Sequence, residues 1–503
     1  MKFSFRDAQG QPLSSTEFAK QLLSSAVESA NPGLAREILA ETNWRKNYQR
    51  YFLQLSELEF ADQKHGMDLM QSALAALTGQ IRNESDISIF ELAREGFAAT
   101  GLVETVEISG NSTVEPHWPN SSASLETIAA DWVRRGLAES DVQSAFKFLD
   151  ENPKLTPGED LLFALAGNAE LSGAKDWLSL GGRVAVVARP NPAAWQSLVD
   201  HARQSAGTLL VPVLRARNSA GELSSRAGLD LVQDVAAIAS WLHELSRTES
   251  RLVVSSYSYI GGSNQIVAQA AQDAIIAVAS TNIVKSKLAL SWLATPLDVV
   301  VGSRSIYDDQ LARYASRSFV TRSRDALWRV FGQLTKPAPA LIATANGQAA
   351  SFDASSVRQG SSYLLAKHSE KWRAMVAARQ GNLVSYTVAP PAATRSVLGV
   401  RVLNYTYKGL ARFGVYPFSA RATRRVMALL LLRNLNDPTS VAAPANSANQ
   451  LDLVSATSIH GGTWRMAYQP ESIWVAATVL GFFSGKKDSA IVDFDSPLQG
   501  RDK

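Results

Sequence analysis

Cysteine is absent from all 503 residues, which removes disulfides, thiolate metal sites and a cysteine nucleophile together. Long apolar runs are missing too. None approaches the roughly 20 residues that cross a bilayer, and the opening MKFSFRDAQGQPLSS has no apolar signal-peptide core, so a soluble cytoplasmic chain without a membrane span is expected. Charge of one sign is also scarce: 50 Lys and Arg stand against 46 Asp and Glu, a net +4. So slight a surplus over this length does not favour nucleic acid as a partner. The six histidines show no HExxH or paired-ligand spacing, so no metal site is expected. No Gly-x-Ser-x-Gly elbow occurs. GFFSGKKDS is one residue short of a phosphate-binding loop and lacks its final Ser or Thr.

What is present is apolar material in quantity, 46% of the chain, enough for a large core and for more than one domain. Residues 1–155 read as a mostly helical N-terminal domain, because AREILAETNWRKNYQRYFLQLSELEFA and GMDLMQSALAALTGQI place apolar residues three and four apart. NSTVEPHWPNSS (111–122) and ENPKLTPGED (151–160) are polar, proline-bearing linker candidates. From there the pattern changes. Short Val, Ile and Leu runs at 183–189, 208–214, 251–257, 297–303, 340–346, 383–389 and 451–457 alternate with helix-period segments. This predicts an α/β domain over 156–490 with a doubly wound parallel sheet. LLFALAG (161–167) is an eighth strand or part of the first domain. Residues 491–503 read as a flexible tail.

Parallel sheets of this kind bind ligands at the carboxyl ends of their strands. Just past the run ALIATAN stands Ser351. Tyr363 follows twelve residues later, and Lys367 lies one helical turn beyond Tyr363, on the same helix face. Next comes LVSYTVAPPAATRSVL, a strand running into a proline-rich loop. Tyr-x-x-x-Lys alone is common and usually means an aromatic ring packed on a lysine stem.

Taken together, Ser351, the Tyr363-LLA-Lys367 block, the strand-loop TVAPPAATRSV and the preceding SRDALWRVFGQLTKPAPALIATANGQAAS resemble the short-chain dehydrogenase/reductase family over about residues 183–460. The resemblance implies a Rossmann-like domain and an NAD(P)-dependent interconversion of a carbonyl and an alcohol, with a 3-oxoacyl thioester as one candidate substrate. Tyr363 would exchange the proton, Ser351 would orient the substrate oxygen and Lys367 would favour the phenolate. The implied cofactor, NADP or NAD, would lie against Arg189, Asn191, Gly302, Asn346, Lys367 and Thr394. Family members are often dimers or tetramers through the tyrosine helix, which makes a homo-oligomer an expectation.

The glycine fingerprint departs from the family. With RVAVVAR as first strand, Arg189-Pro-Asn-Pro-Ala-Ala-Trp195 replaces Thr-Gly-x-x-x-Gly-x-Gly, and two prolines remove backbone donors. A second register makes LLFAL the first strand, with Gly167 and Gly173 as the fingerprint. It is about one helical turn short and leaves one strand too many before Tyr363, so the first register is preferred. The alternative function is a catalytically inactive scaffold or interaction module that has lost nucleotide binding. Arginine clusters at 313–329 and 421–425 would suit an acidic carrier or a coenzyme A phosphate, but more readily read as solvated helix faces. His460 reads as structural.

Overall fold

Seven short apolar runs meet at the centre of the molecule. In the computed structural model, which describes residues 2–118, 123–217, 220–356, 359–446, 448–484 and 491–493, they form one sheet. Its strands are β1 (Val103–Ser109), β2 (Asp160–Leu165), β3 (Arg183–Val187), β4 (Thr208–Leu214), β5 (Arg251–Ser256), β6 (Leu288–Ala294) and β7 (Leu383–Val388). They lie in the order β7-β6-β5-β2-β3-β4-β1. All pairings are parallel except β1 against β4.

Alternate residues of each strand point to opposite faces, and here both faces are covered. On β2, Leu161, Phe163 and Leu165 join one buried cluster, while Leu162 and Ala164 join another. Full burial of such side chains contributes about 1.5–3 kcal/mol each, which explains why the runs are continuously apolar instead of alternating. Helices Val235–Thr248, Asn264–Asn282 and Ser361–Arg379 supply the first face. Helices Leu125–Arg135, Ser140–Glu151, Pro192–Arg203 and Ala420–Asn436 supply the second.

The N-terminal segment is mostly helical. Ser14 and Ser88 open helices Ser15–Val27 and Ile89–Ala98 with reciprocal capping bonds to Glu17 and Glu91, satisfying amides that a helix start leaves unpaired. The packing has no break at residue 155. Phe18, Phe52 and Phe97 share one buried cluster with Phe163, Trp292 and Trp372, and β1 edges the large sheet. These helices lie over Ser361–Arg379, where every residue from Leu364 to Ala378 except Arg373 is buried. A homo-oligomer through that helix therefore has no open surface to use.

Several strand expectations need correction. Runs 297–303 and 340–346 form strands Val299–Ser303 and Ala340–Thr344, but in a separate antiparallel sheet on either side of Gly347–Asp353. LDLVSAT forms helix Gln450–Ser455, started by the Asn449 side chain accepting from the Leu451 amide. LLFAL is the innermost parallel strand, and RVAVV pairs beside it as the second parallel strand, not the first. LALSWLA and VETVEIS are strands the periodicity did not pick out. Of the expected linker and tail, 119–122 and 494–503 lie outside the described residues. Val492 is buried and bridges Phe418.

Candidate functional site

A cavity of about 350 Å³ opens at the carboxyl ends of β2, β5, β6 and β7. The chain leaves β2 towards β3 on one side, and later returns to place β5 on the other. Loops after β2 and β5 therefore diverge and leave a crevice between them. Ala169, Glu170 and Leu171 come from the first loop, Tyr257 to Tyr259 from the second, and Thr295 to Leu297 follow β6. Tyr363 and Lys367 project from Ser361–Arg379, and Pro390, Pro391 and Thr394 follow β7.

Three expected site residues thus share the cavity: Tyr363, Lys367 and Thr394. The others do not line it. Ser351 sits within Gly347–Asp353 opposite Val301 and Ala340, and its Oγ donates to Glu57 Oε1 at 2.8 Å. Gly302 pairs with Ala350 in the same small sheet, and Asn346 at its hairpin tip bonds Asn449 at 2.7 Å. Arg189 ion-pairs with Asp230 at 3.2 Å beyond β3. Asn191 caps helix Pro192–Arg203 by accepting from the Ala194 amide at 3.1 Å. Two placements explain this: β6, not ALIATAN, is the parallel strand before the tyrosine helix, which displaces Gly302, Asn346 and Ser351, and RVAVV is the second strand, which displaces Arg189 and Asn191.

The residue that follows β6 is Thr295, and its hydroxyl hydrogen-bonds the Tyr363 phenol. Sequence reasoning missed it, although LALSWLA-Thr-Pro carries the signal of a buried strand ending in a hydroxyl. Burial is the largest influence on the phenol and raises its pKa. The Thr295 bond opposes this, and the charges of Glu370 and Asp298 reinforce it, so Tyr363 ionises well above the usual phenol range. Lys367 does not reverse this shift, because its ammonium is held between both Glu370 oxygens at 3.0 Å each. The Tyr363 phenol is therefore protonated at neutral pH. Glu370 itself is raised, first by burial, with Lys367 opposing.

Behind the cavity the same helix carries a second buried charge group. Glu59, from helix Trp44–Ala61, accepts from Trp372 Nε1 at 2.6 Å and lies 2.7 Å from His368 Nε2. Lys371 stands 3.9 Å from Glu59 and 4.0 Å from Asp298. Burial would raise Glu59, but His368 and Lys371 outweigh it and hold the carboxyl low. Burial would lower His368, but Glu59 outweighs it and the imidazole is raised. The cluster is an internally compensated set of charges.

At the β2 end, Gly173 precedes the short helix Ala174–Ser179, and a Cβ there would stand 3.2 Å from the Tyr257 hydroxyl. Tyr257 is pushed up to about 12, first by burial. Glu170 accepts from the Arg395 amide at 3.0 and 3.1 Å. The arginine clusters are not simply solvated faces. Arg425 is buried and donates to the carbonyls of His117 and Pro116, and Arg317 and Arg324 hold the buried Asp325. His460 is structural, stacked on Trp464 and bonded to Glu139. Among the described residues no group of three or more His, Asp or Glu is placed to hold a metal. No family model matches this chain, and neither a curated protein nor a solved structure matches it.

Proposed function

We propose that the chain is an oxidoreductase of the short-chain dehydrogenase/reductase type, interconverting a carbonyl and an alcohol in the cavity above β2 and β5, with a 3-oxoacyl thioester as candidate substrate. The observation that carries this reading is the convergence of Tyr363, Lys367, Thr394 and Thr295 on one cavity. That cavity lies at the carboxyl ends of parallel strands which, counted from β2, run 3-2-1-4-5-6 across the sheet. This is the order of doubly wound dinucleotide-binding sheets, and their ligands lie at this switch point.

A nicotinamide nucleotide would call on three groups of residues, of which Lys367 and Thr394 line the cavity while Gly167, Gly173 and Arg189, paired with Asp230, stand outside its lining. Gly167 and Gly173 have the spacing of the first and third glycines of Thr-Gly-x-x-x-Gly-x-Gly, on the loop that follows β2. Arg189 stands just past β3, about 20 residues after Gly167, where a residue that reads the ribose belongs, and an arginine there suits NADP. Lys367 and Thr394 remain for the nicotinamide end. A bound nucleotide would supply or accept the hydride. Tyr363 gives its phenolic proton to the substrate oxygen in the reducing direction and takes it back in the other. Thr295 orients that phenol, the part expected of Ser351.

A second reading, a scaffold without catalysis, is favoured by the same loop. Leu171 replaces the middle glycine, and the Glu170 carboxylate lines the cavity where a diphosphate would need positive charge. Titration of NADPH and NADH into the purified chain, followed by fluorescence, separates the two. The oxidoreductase reading expects saturable NADPH binding, weakened at least about tenfold in Lys367→Ala by loss of a charged hydrogen bond. Tyr363→Phe should bind normally and lose about 10²–10⁴ in turnover. No binding of either nucleotide at millimolar concentration would leave the scaffold reading.

A further inference from the structure

Beside the cavity stands a small helical cap. Helices Phe319–Arg329, Arg401–Gly409 and Trp474–Phe482 converge on a buried cluster that includes Leu334, Phe413, Tyr468, Ile473 and Ala477, with Trp328 and Tyr407 packed against it. Tyr407 also lines the cavity, so cap and site share a wall. Most of the exposed large apolar side chains among the described residues are carried by this cap and its flanks. Phe319, Val320, Val330, Phe331, Phe482 and Phe483 are between 59% and 83% exposed, and Phe482 still meets the Tyr405 ring edge-on at 5.2 Å.

The charged side chains that the cap segments leave exposed are all cationic, although Arg395 is ion-paired with Glu170 at 3.7 Å. Segments 316–337, 395–415 and 466–484 contain only two acidic residues, Asp325 and Glu471. Asp325 is fully buried against Arg317 and Arg324, and Glu471 is half-buried. The exposed charged residues of these segments are Arg322, Arg329, Lys336, Arg395, Arg401 and Arg412.

We propose that this cap seats the protein on an anionic lipid surface, with the phenylalanines entering the headgroup boundary and the arginines pairing with lipid phosphates. Helices with cationic side chains beside exposed aromatic and aliphatic ones bind at that interface without crossing it. No helix among the described residues is long and apolar enough to span. A second copy of the chain is disfavoured as occupant, because two patches of the same charge repel. An acidic protein satisfies the charge, but rings exposed on two helices and just past their ends, Phe319, Phe331, Phe482 and Phe483, suit a fluid interface better than a preformed pocket. The proposal does not depend on nucleotide binding in the cavity.

The test is flotation of the full chain with phosphatidylcholine vesicles, with and without phosphatidylglycerol. Binding is expected only to the anionic vesicles, falling with added salt. Each of Arg322→Gln, Arg329→Gln and Arg401→Gln should weaken it about fivefold. The triple change Phe331→Ser, Phe482→Ser and Phe483→Ser should weaken it at least about 100-fold. Phe331 and Phe483 are largely exposed and Phe482 partly packs on Tyr405, so circular dichroism should be unchanged and the melting temperature should fall only slightly. The proposal is overturned by equal binding to both vesicle types or by no flotation. It is equally overturned if the apolar triple variant floats like the parent, if the patch instead mediates self-association, or if it binds an acidic carrier protein while vesicles stay unbound.

Discussion

At the scale of single residues, the character of the site turns on which partner holds Lys367. Its ammonium is bound to Glu370, so the carboxylate both occupies the lysine and, through its own charge, raises the phenol of Tyr363. Glu370→Gln removes that charge and releases the lysine. The expected outcome is a Tyr363 phenol that ionises at lower pH, measured as tyrosinate absorbance with Tyr363→Phe as the subtraction control. If turnover is detected, its basic pH limit should move down with it. The sign follows because a nearby negative charge disfavours phenolate. A tyrosine titration identical to the parent's would refute the assignment. None of this was legible in YLLAKHSE: the i, i+3 spacing of Lys367 and Glu370 was present, but only burial on both sides of the helix makes their pairing exclusive.

At the scale of elements, the tyrosine helix is held by charge as well as by packing. Glu59 of helix Trp44–Ala61 accepts from Trp372 and is bonded to His368. Glu59→Ala leaves His368 and Lys371 with Asp298, at 3.8 and 4.0 Å, as their remaining counter-charge, and should cost about 3 kcal/mol. Glu59→Gln keeps an acceptor for Trp372 and should cost less, the two compared by urea midpoints. The cap offers a second case. A Cβ on Gly481 would stand 1.8 Å from the Tyr405 carbonyl oxygen, and one on Gly409 1.9 Å from that of Ala477. Gly481→Val therefore forces helices Arg401–Gly409 and Trp474–Phe482 apart, at about 1–3 kcal/mol or more. Amide hydrogen exchange should show lost protection in the cap while the seven-stranded sheet keeps its own. The glycines were visible in the sequence, but which backbone each one faces was not.

At the level of the full chain, the junction of residue 139 with the last quarter of the sequence contributes to acid stability. Glu139 accepts from Arg465 Nε and Nη2 at 2.7 Å each and bonds His460 at 3.1 Å. Burial alone would raise its pKa, but these bonds hold it at about 2 against an ordinary 4.5. A carboxyl depressed in the folded state stabilises above its unfolded pKa and loses that contribution as pH falls through the folded one. The stabilisation, about 3 kcal/mol, should therefore be complete above pH 4.5 and fade towards pH 2. Unfolding free energies of the parent and Glu139→Gln should differ most near neutral pH and converge in acid. A difference that does not change with pH would show that the carboxylate's charge is not what holds this junction.

Local pattern and composition were enough to show that strands and helices alternate through the second half of the chain, that no disulfide braces it, and that Tyr363 and Lys367 share a helix face. Those features depend on local period and composition, and β3, β4, β5 and β7 stand where the apolar runs placed them. Which strand lies innermost, and which neighbours which, was decided only by tertiary structure. A continuous apolar run reads the same in the large sheet, in the small antiparallel one or, like LDLVSAT, in a helix, and only its partners distinguish them. The site followed that decision: once β6 took the place given to ALIATAN, the hydroxyl beside Tyr363 was Thr295. Ser351, twelve residues before Tyr363, went instead to Glu57. Spacing along the chain sets what can meet within one helix, whereas strand order sets what meets across loops, and no local pattern encodes that order.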